Sequence, residues 1–406
     1  MTRRRRLLVG IAFLTMIADG LDITIPGFVY PQIVEEWGTS LGAVTATVTI
    51  GVLAMALGGA VAGPIADRHG RRPATLAGVV LFGLATAGMG LAGSIEVFTA
   101  LRIVACVGLG ATMPVVLAVV ADAVPRARRA QLVTLTFAGV SVGTIVGGFL
   151  AAALVPAFGW QVLLLVCGLT PLLLVPGLAA LVEEPEATRT ADAPGGAVGV
   201  VLSRQLIVTT LLVWLCFFIG IGVVFLILNY LPLMVRGSGL GAGEAGVLIA
   251  VFGWGGLVGQ LLVAFALRRF DRFRVLALLW AGGTVGLWVI AALSPGFPGL
   301  VVLLFVLGLA LPGANGALQA IGALAYPPHA RATGMGWTSA VGRLGTLASG
   351  LLGGLVVGAG WTLGAIFLAL GVPLLAGACA AFGLRAETRR RGDTDAATPA
   401  PAGAAS

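Results

Sequence analysis

The sequence predicts an all-α membrane protein whose twelve transmembrane helices fall into two six-helix halves. Three observations carry this. Of 406 residues, 59% are hydrophobic and only 10% charged, against about 25% charged in an average soluble domain. Twelve apolar runs reach the roughly 20 residues a helix needs to cross a bilayer, at about 7–29, 43–65, 74–93, 97–120, 131–155, 161–182, 206–232, 243–266, 275–293, 298–320, 332–357 and 361–383. The longest break, Glu183 to Arg204, divides six runs from six, as in internally duplicated membrane folds. The expected organisation is a first half at 1–182, a linker at 183–205, a second half at 206–391 and a disordered tail at 392–406.

The first run holds Asp19-Gly20-Leu21-Asp22 near its middle. An ionised acid at the bilayer centre costs at least about 2.5–3.5 kcal/mol, so such acids face a wet cavity or a partner and mark a proton, ion or substrate path. Three residues apart, the two carboxylates share one helix face. The alternative is a structural hydrogen bond to a neighbouring helix. Arg3 to Arg6 before the run imitates a secretory signal, but the two acids interrupt it and no small-residue cleavage site follows, so an uncleaved first helix is expected.

Orientation follows from arginine. All 24 basic residues are Arg, and 21 of them fall on one side when the N-terminus is placed inside. Both termini and the linker are therefore expected in the cytoplasm, in a multi-pass protein of the plasma (cytoplasmic) membrane. Arg236 is expected in an outside loop, and Arg102 and Arg343 within spans. The net charge of +8 thus reflects topology and is no sign of nucleic-acid binding. Cys106, Cys167, Cys216 and Cys379 stand singly in apolar runs and read as small core hydrophobes, neither a disulfide framework nor a metal site. Runs such as Gly143–Gly147–Gly148 and Gly350–Gly353–Gly354 let helices approach closely. No nucleophile–base pair or metal cluster is present, so neither an enzyme nor a cofactor is expected.

Between spans two and three lies Gly63-Pro64-Ile65-Ala66-Asp67-Arg68-His69-Gly70-Arg71-Arg72. It places an acid at a helix end among cations, where Asp67 is able to bond a nearby helix N-terminus or guanidinium and latch one conformation. His69 reads as a loop residue. The second half carries a degraded copy, Ala264 to Arg272, in which Ala264 replaces the Gly and Arg268 the acid, so any latch is asymmetric.

The intact loop resembles the signature of the major facilitator superfamily, and that resemblance covers nearly the whole chain. Four further stretches resemble its aromatic acid:proton symporter family. They are Asp19-Gly20-Leu21-Asp22, Arg102 with Gly108-Leu109-Gly110-Ala111-Thr112-Met113-Pro114, Pro312-Gly313-Ala314-Asn315-Gly316, and Tyr326-Pro327 through Arg331-Ala332-Thr333-Gly334-Met335-Gly336-Trp337 to Val341-Gly342-Arg343-Leu344-Gly345. The resemblance implies a major facilitator bundle with a central cavity opening to alternate sides. It also implies proton-coupled uptake of a small organic anion of the benzoate or hydroxybenzoate type, by a monomer in the lipid bilayer.

Arg343 lies mid-span in a half with no Asp or Glu inside its spans, Glu244 standing at a span edge and Asp271 in a loop. Its counterion has to be Asp19 or Asp22, a bound anion, or backbone carbonyls. Arg102, near the outer end of span four, fits a structural or gating role as well as substrate contact. Asn229, Tyr230, Gln260 and Asn315 are polar groups that line a cavity or bond between helices. Trp254, Trp280 and Trp337 are candidates for stacking on an aromatic ligand, whereas Trp160 and Trp361, at span starts, read as interfacial anchors. In the leading reading Asp19 and Asp22 hold the proton, and Arg343, with Arg102, holds the carboxylate. Asn315, Tyr230 and Trp337 would line the rest of the site. Proton-antiport efflux of hydrophobic compounds, a sugar or metabolite porter, and a non-transporting receptor are the alternatives.

Overall fold

The computed structural model describes residues 2–182, 196–236 and 242–397, and no strand occurs among them. In the first half α1 is Arg3–Trp37, α2 Leu41–His69, α3 Arg71–Met89, α4 Ile95–Ala123 and α5 Arg129–Phe158. The sixth span is broken into α6 (Trp160–Leu172) and α7 (Val175–Leu181). Pro171 and Pro176 bracket the break, and each removes a backbone donor and crowds the preceding turn. A short helix, α8 (Gly196–Val201), precedes the second half. That half consists of α9 (Ile207–Arg236), α10 (Ala242–Ala266), α11 (Arg272–Leu293), α12 (Phe297–Ala325), α13 (Arg331–Gly358) and α14 (Leu363–Ala397).

Ten spans among the described residues, α6 and α7 counted together, are long and apolar enough to cross a membrane. The two remaining long helices are α1 and α13, which carry Asp19, Asp22 and Arg343. Capping residues set several boundaries. Ser40, Ser94 and Asp271 each accept from the backbone N–H three residues on, at 3.2, 3.4 and 3.1 Å. Gly38, Gly159 and Gly360 turn the chain between helices with positive φ.

Two boundaries depart from the sequence reading. Arg236, expected in an outside loop, is the last residue of α9. The last helix runs to Ala397, six residues into the stretch expected to be disordered, continuing from the Arg-, Glu- and Ala-rich turns at 385–391 that favour helix. Linker residues 183–195 and tail residues 398–406 lie outside the described residues.

The two halves repeat one local plan. α4 contains Pro114 and ends at Val124-Pro125 before a 3-10 turn, Arg126–Arg128. α12 contains Pro312 and ends at Tyr326-Pro327 before a 3-10 turn, Pro328–Ala330. Val124 and Tyr326, each preceding a proline, are both extended, with ψ of 153° and 148°.

Within the first half α1 packs on α5 and α4 on α2 and α3. In the second, α12 packs on α10, α13 on α9 and α14 on α11. The halves meet where α2 lies along α13 and α5 along α10 and α12. An apolar plug formed by Met16, Val120 and Val133 of one half with Val263, Ala320 and Met335 of the other closes the bundle toward the face that carries both chain ends. That face also bears most of the arginines and is called the basic face below.

Candidate functional site

Two acids and two arginines lie together inside the bundle. Asp22 (α1) is 3% exposed and accepts a 2.6 Å hydrogen bond from Nη1 of Arg102 (α4), itself 7% exposed. Gly51 of α2 makes room for this pair, since a Cβ there would stand 3.2 Å from Cys106 Sγ and 3.8 Å from Arg102 Cγ. Tyr30 borders the same guanidinium with its hydroxyl toward it. Asp19, one helical turn away, is 4% exposed, and its Oδ1 has no partner. The charges acting on Asp19 are those of Arg343 and Asp22. Arg343 (α13) is half-buried and makes no hydrogen bond or ion pair among the described residues. The two acids therefore differ in kind. Asp22 is neutralised by a direct partner, and Asp19 faces the charge of an arginine from the other half.

The second half contributes polar side chains on α12 and α10. Asn315 and Gln319, one turn apart on α12, make no hydrogen bond among the described residues, and their buried carbonyl oxygens are unpartnered. An unsatisfied buried amide costs roughly 1–3 kcal/mol, so the pair is a place for a ligand or water to bind. A helix turns about 100° per residue, which fixes where Gln319 stands. Gly316 of α12 faces Thr134 of the first half, and Gly322 faces Phe217 and Met335. Gln319 lies between these directions, at the junction of the two halves with α13. Gln260 (α10) is engaged, accepting from Ser141 of α5 at 3.1 Å and donating to the Pro312 carbonyl at 3.4 Å.

The other candidates are placed differently. Tyr230 donates its hydroxyl to the Gly350 carbonyl at 2.5 Å and packs on Gly353, so its polar end is occupied by α13; the side chain of Asn229 lies outside the described residues. Trp337 stacks on Trp214 at 6.0 Å between centroids and 20° between planes, near the basic end of α13. Trp280 is fully buried in the second half, and Trp254 is 53% exposed. Trp160, expected as an interfacial anchor, is instead 2% exposed. It donates to Glu36 at 2.7 Å and packs edge-on against Trp37 and Phe98, because the buried partners of α1 and α4 outcompete the interface. Trp361 remains 48% exposed, as an anchor requires. Cys106, Cys167 and Cys216 are buried as expected, while Cys379 faces outward. A cavity of about 780 Å³ between Trp288, Ser294, Phe297 and Leu363 lies at the opposite face, away from the charges.

At the basic face the signature loop joins the halves. Gly63 meets the backbone of Ala332 and Thr333, and Gly59 that of Gly336, so α2 and α13 touch main chain to main chain. Asp67, fully buried, accepts from the Ala332 N–H at 3.2 Å and the Thr333 N–H at 2.6 Å, which are orphan donors of the first turn of α13. Gly70 holds φ 106°, ψ 149°, a conformation open to glycine, and turns the chain directly into α3. Arg71 is buried. It lies 3.6 Å from Asp67, donates to the Pro328 carbonyl at 2.6 Å and the Ala118 carbonyl at 3.2 Å, and pairs with Asp122. Asp122 also pairs with Arg331 of the other half. Arg68, His69 and Arg72 are exposed around this core.

Asp122 is the residue that reading the chain by motifs misses. Its signal is faint but present, an acid closing the fourth span just before the Arg126–Arg129 cluster. The second-half copy of the loop does not latch. Its acid, Asp271, caps α11 and lies 3.4 Å from Arg385 of the same half.

Comparison with known proteins places this geometry. The family model of the Major Facilitator Superfamily matches residues 12–243 and 225–406. The chain is 32% identical to a 4-hydroxybenzoate transporter of Pseudomonas aeruginosa, over 90% of this chain and 89% of that protein. It is likewise 32% identical to a gallate transporter of Pseudomonas putida, over 92% and 90%. Among solved structures, a major facilitator transporter, FucP, in the outward conformation superposes with a TM-score of 0.78 at 16% identity, covering 94% of this chain and 99% of that one. The fold, the signature loop and the family match agree: this chain is a multi-pass membrane transporter, not an enzyme, and it belongs to the major facilitator superfamily.

Proposed function

We propose that the protein imports a small aromatic carboxylate together with a proton across the cytoplasmic membrane, by alternating access. Its termini and linker would lie in the cytoplasm. The carrying observation is that Arg343 has no ion pair or hydrogen bond among the described residues while its charge acts on Asp19, whose Oδ1 is likewise unpartnered among them. An arginine forks onto a carboxylate bidentately, a geometry that suits an organic acid. When a ligand carboxylate takes Arg343, Asp19 loses its counter-charge in a region of low dielectric and takes up a proton. Binding of anion and proton are thereby linked. Asp22, held by Arg102, keeps the α1–α4 contact and sets the position of Asp19. Asn315 and Gln319 stand ready to hydrogen-bond a ring hydroxyl, with apolar and aromatic surroundings for the ring. The Asp67–α13 latch and the apolar plug keep the basic face closed, which corresponds to the substrate entering from the opposite face. The names of the 4-hydroxybenzoate and gallate transporters support this substrate class.

The deciding measurement is uptake of radiolabelled benzoate and 4-hydroxybenzoate into proteoliposomes, with and without an imposed pH gradient. Benzamide and an aliphatic acid of similar size serve as competitors. Uptake should require the gradient for accumulation, and benzamide should not compete. Competition by the amide equal to that of the acid would overturn the anion reading. Competition by the aliphatic acid alone would overturn the aromatic one. Accumulation indifferent to the gradient would overturn proton coupling.

A further inference from the structure

A groove of about 330 Å³ opens on the basic face between the two halves. Arg126, in the 3-10 turn before α5, forms one wall, and Arg272, Arg385 and Arg389, from the start of α11 and the later part of α14, form the other. Four guanidiniums thus surround it with one carboxylate, Asp271, which is already committed to capping α11 and to Arg385. Below the arginines the lining turns apolar, and Phe270 at its rim is 65% exposed. Arg272 lies 4.9 Å over the Phe273 ring, and its Nε is buried without a hydrogen-bond partner.

We infer that this groove binds an anionic phospholipid of the adjoining leaflet. The phosphate headgroup would sit on Arg126, Arg272 and Arg389, with the upper acyl chain along Phe270. Charge complementarity selects an anion, since four guanidiniums face one carboxylate, Asp271, whose charge is shared between Arg385 and Arg272. The apolar lining beside the arginines, with the exposed Phe270, selects a lipid over a soluble anion. The groove draws walls from both halves, so the headgroup bridges them while the basic face is shut and favours that conformation by its differential contacts.

Native mass spectrometry of the full chain, incubated with phosphatidylglycerol or phosphatidylcholine, tests this directly. Two double variants with the same change in charge are compared, Arg272→Gln with Arg389→Gln inside the groove, and Arg268→Gln with Arg269→Gln on the same loop but outside it. Phosphatidylglycerol should be retained preferentially on wild type and on the outside pair. Retention should fall about fivefold for each groove guanidinium removed, since a cation near an anionic surface contributes roughly 1 kcal/mol. Equal losses in both variants would overturn the site, leaving only the general basic field of this face. So would equal retention of the two lipids. Displacement of bound phosphatidylglycerol by millimolar inorganic phosphate would reassign it to a soluble anion and overturn the lipid assignment. Should the groove double variant fail to fold, the exposed Arg389→Gln alone carries the comparison, with a fivefold fall expected and no fall overturning the site.

Discussion

Asp22 and Arg102, eighty residues apart, close a 2.6 Å ion pair between α1 and α4 in the interior of the first half. Its partner arginine spoken for, Asp22 differs from Asp19 in what its removal should do. Breaking a buried pair from one side strands a charge and costs about 3–5 kcal/mol, whereas removing both partners is far milder. Asp22→Asn should therefore lower the melting temperature of the detergent-solubilised protein, and Asp22→Asn with Arg102→Gln should recover most of the loss. A double variant as unstable as the single would mean that the pair is not isolated in this way.

Asp19→Asn should leave stability nearly unchanged and abolish accumulation driven by a pH gradient, because an amide takes no part in a protonation cycle. Exchange of labelled for unlabelled substrate at equilibrium should persist. A variant that still concentrates substrate would remove Asp19 from the coupling role.

Arg343→Lys keeps the charge but not the planar fork, and the loss of one charge-assisted hydrogen bond is worth about 1.5–3 kcal/mol. Apparent affinity for an aromatic acid should fall roughly 10- to 100-fold, with insertion and folding intact. Affinity within threefold of wild type would show that Arg343 does not grip the carboxylate.

Asn315→Leu and Gln319→Leu replace unpartnered amides by apolar side chains of similar size. Both variants should transport benzoate at least as well as wild type and lose the preference for 4-hydroxybenzoate, a change of about 1 kcal/mol or more per hydrogen bond. Competition assays with the two acids read this ratio. An unchanged ratio in both variants would place hydroxyl recognition elsewhere.

Asp67→Asn and Asp122→Asn should insert normally and transport poorly. Each weakens the clasp of the first half on α13, Asp67 through two backbone N–H groups and Asp122 through Arg331. Disulfide trapping between cysteines placed at Ala62 and Thr333 should fall in both variants. Trapping and turnover at wild-type levels would reduce the loop to a tight turn.

Much of the fold is legible in the chain because a bilayer demands long apolar runs, and most run boundaries fall close to the helix ends, α1 and α14 running on beyond theirs. The signature loop is legible because Gly63, Asp67 and Gly70 stand at fixed spacing, and each spacing has a local reason. Partnerships are another matter. Nothing local tells that Arg102 meets Asp22 while Arg343 acts on Asp19, since both arginines are lone cations in apolar runs and only the packing of α1 on α4 and the meeting of the two halves sort them. Asp122 is hidden by its position at a span end, where an acid normally meets headgroups. Gln319 is hidden too, because its meaning depends on which direction Gly316 and Gly322 face. Trp160 shows the converse error, a residue whose position at a span start points to the interface while its neighbours take it inside.

The main-chain seam between α2 and α13 has a consequence for how the transporter responds to its solvent. Where Gly59, Gly63 and Gly336 meet, no side chain shields the carbonyls of Gly59, Ala332 and Gly336 from the opposing helix. Parting the halves there exposes to water helix main chain that is hydrogen-bonded within α2 and α13 but covered in the closed seam only by the opposing backbone. Opening of the basic face is then a hydration step, and its equilibrium should follow the activity of water. Osmolytes excluded from protein surface, such as sucrose, should hold the seam shut and slow the transport cycle in proportion to osmotic pressure.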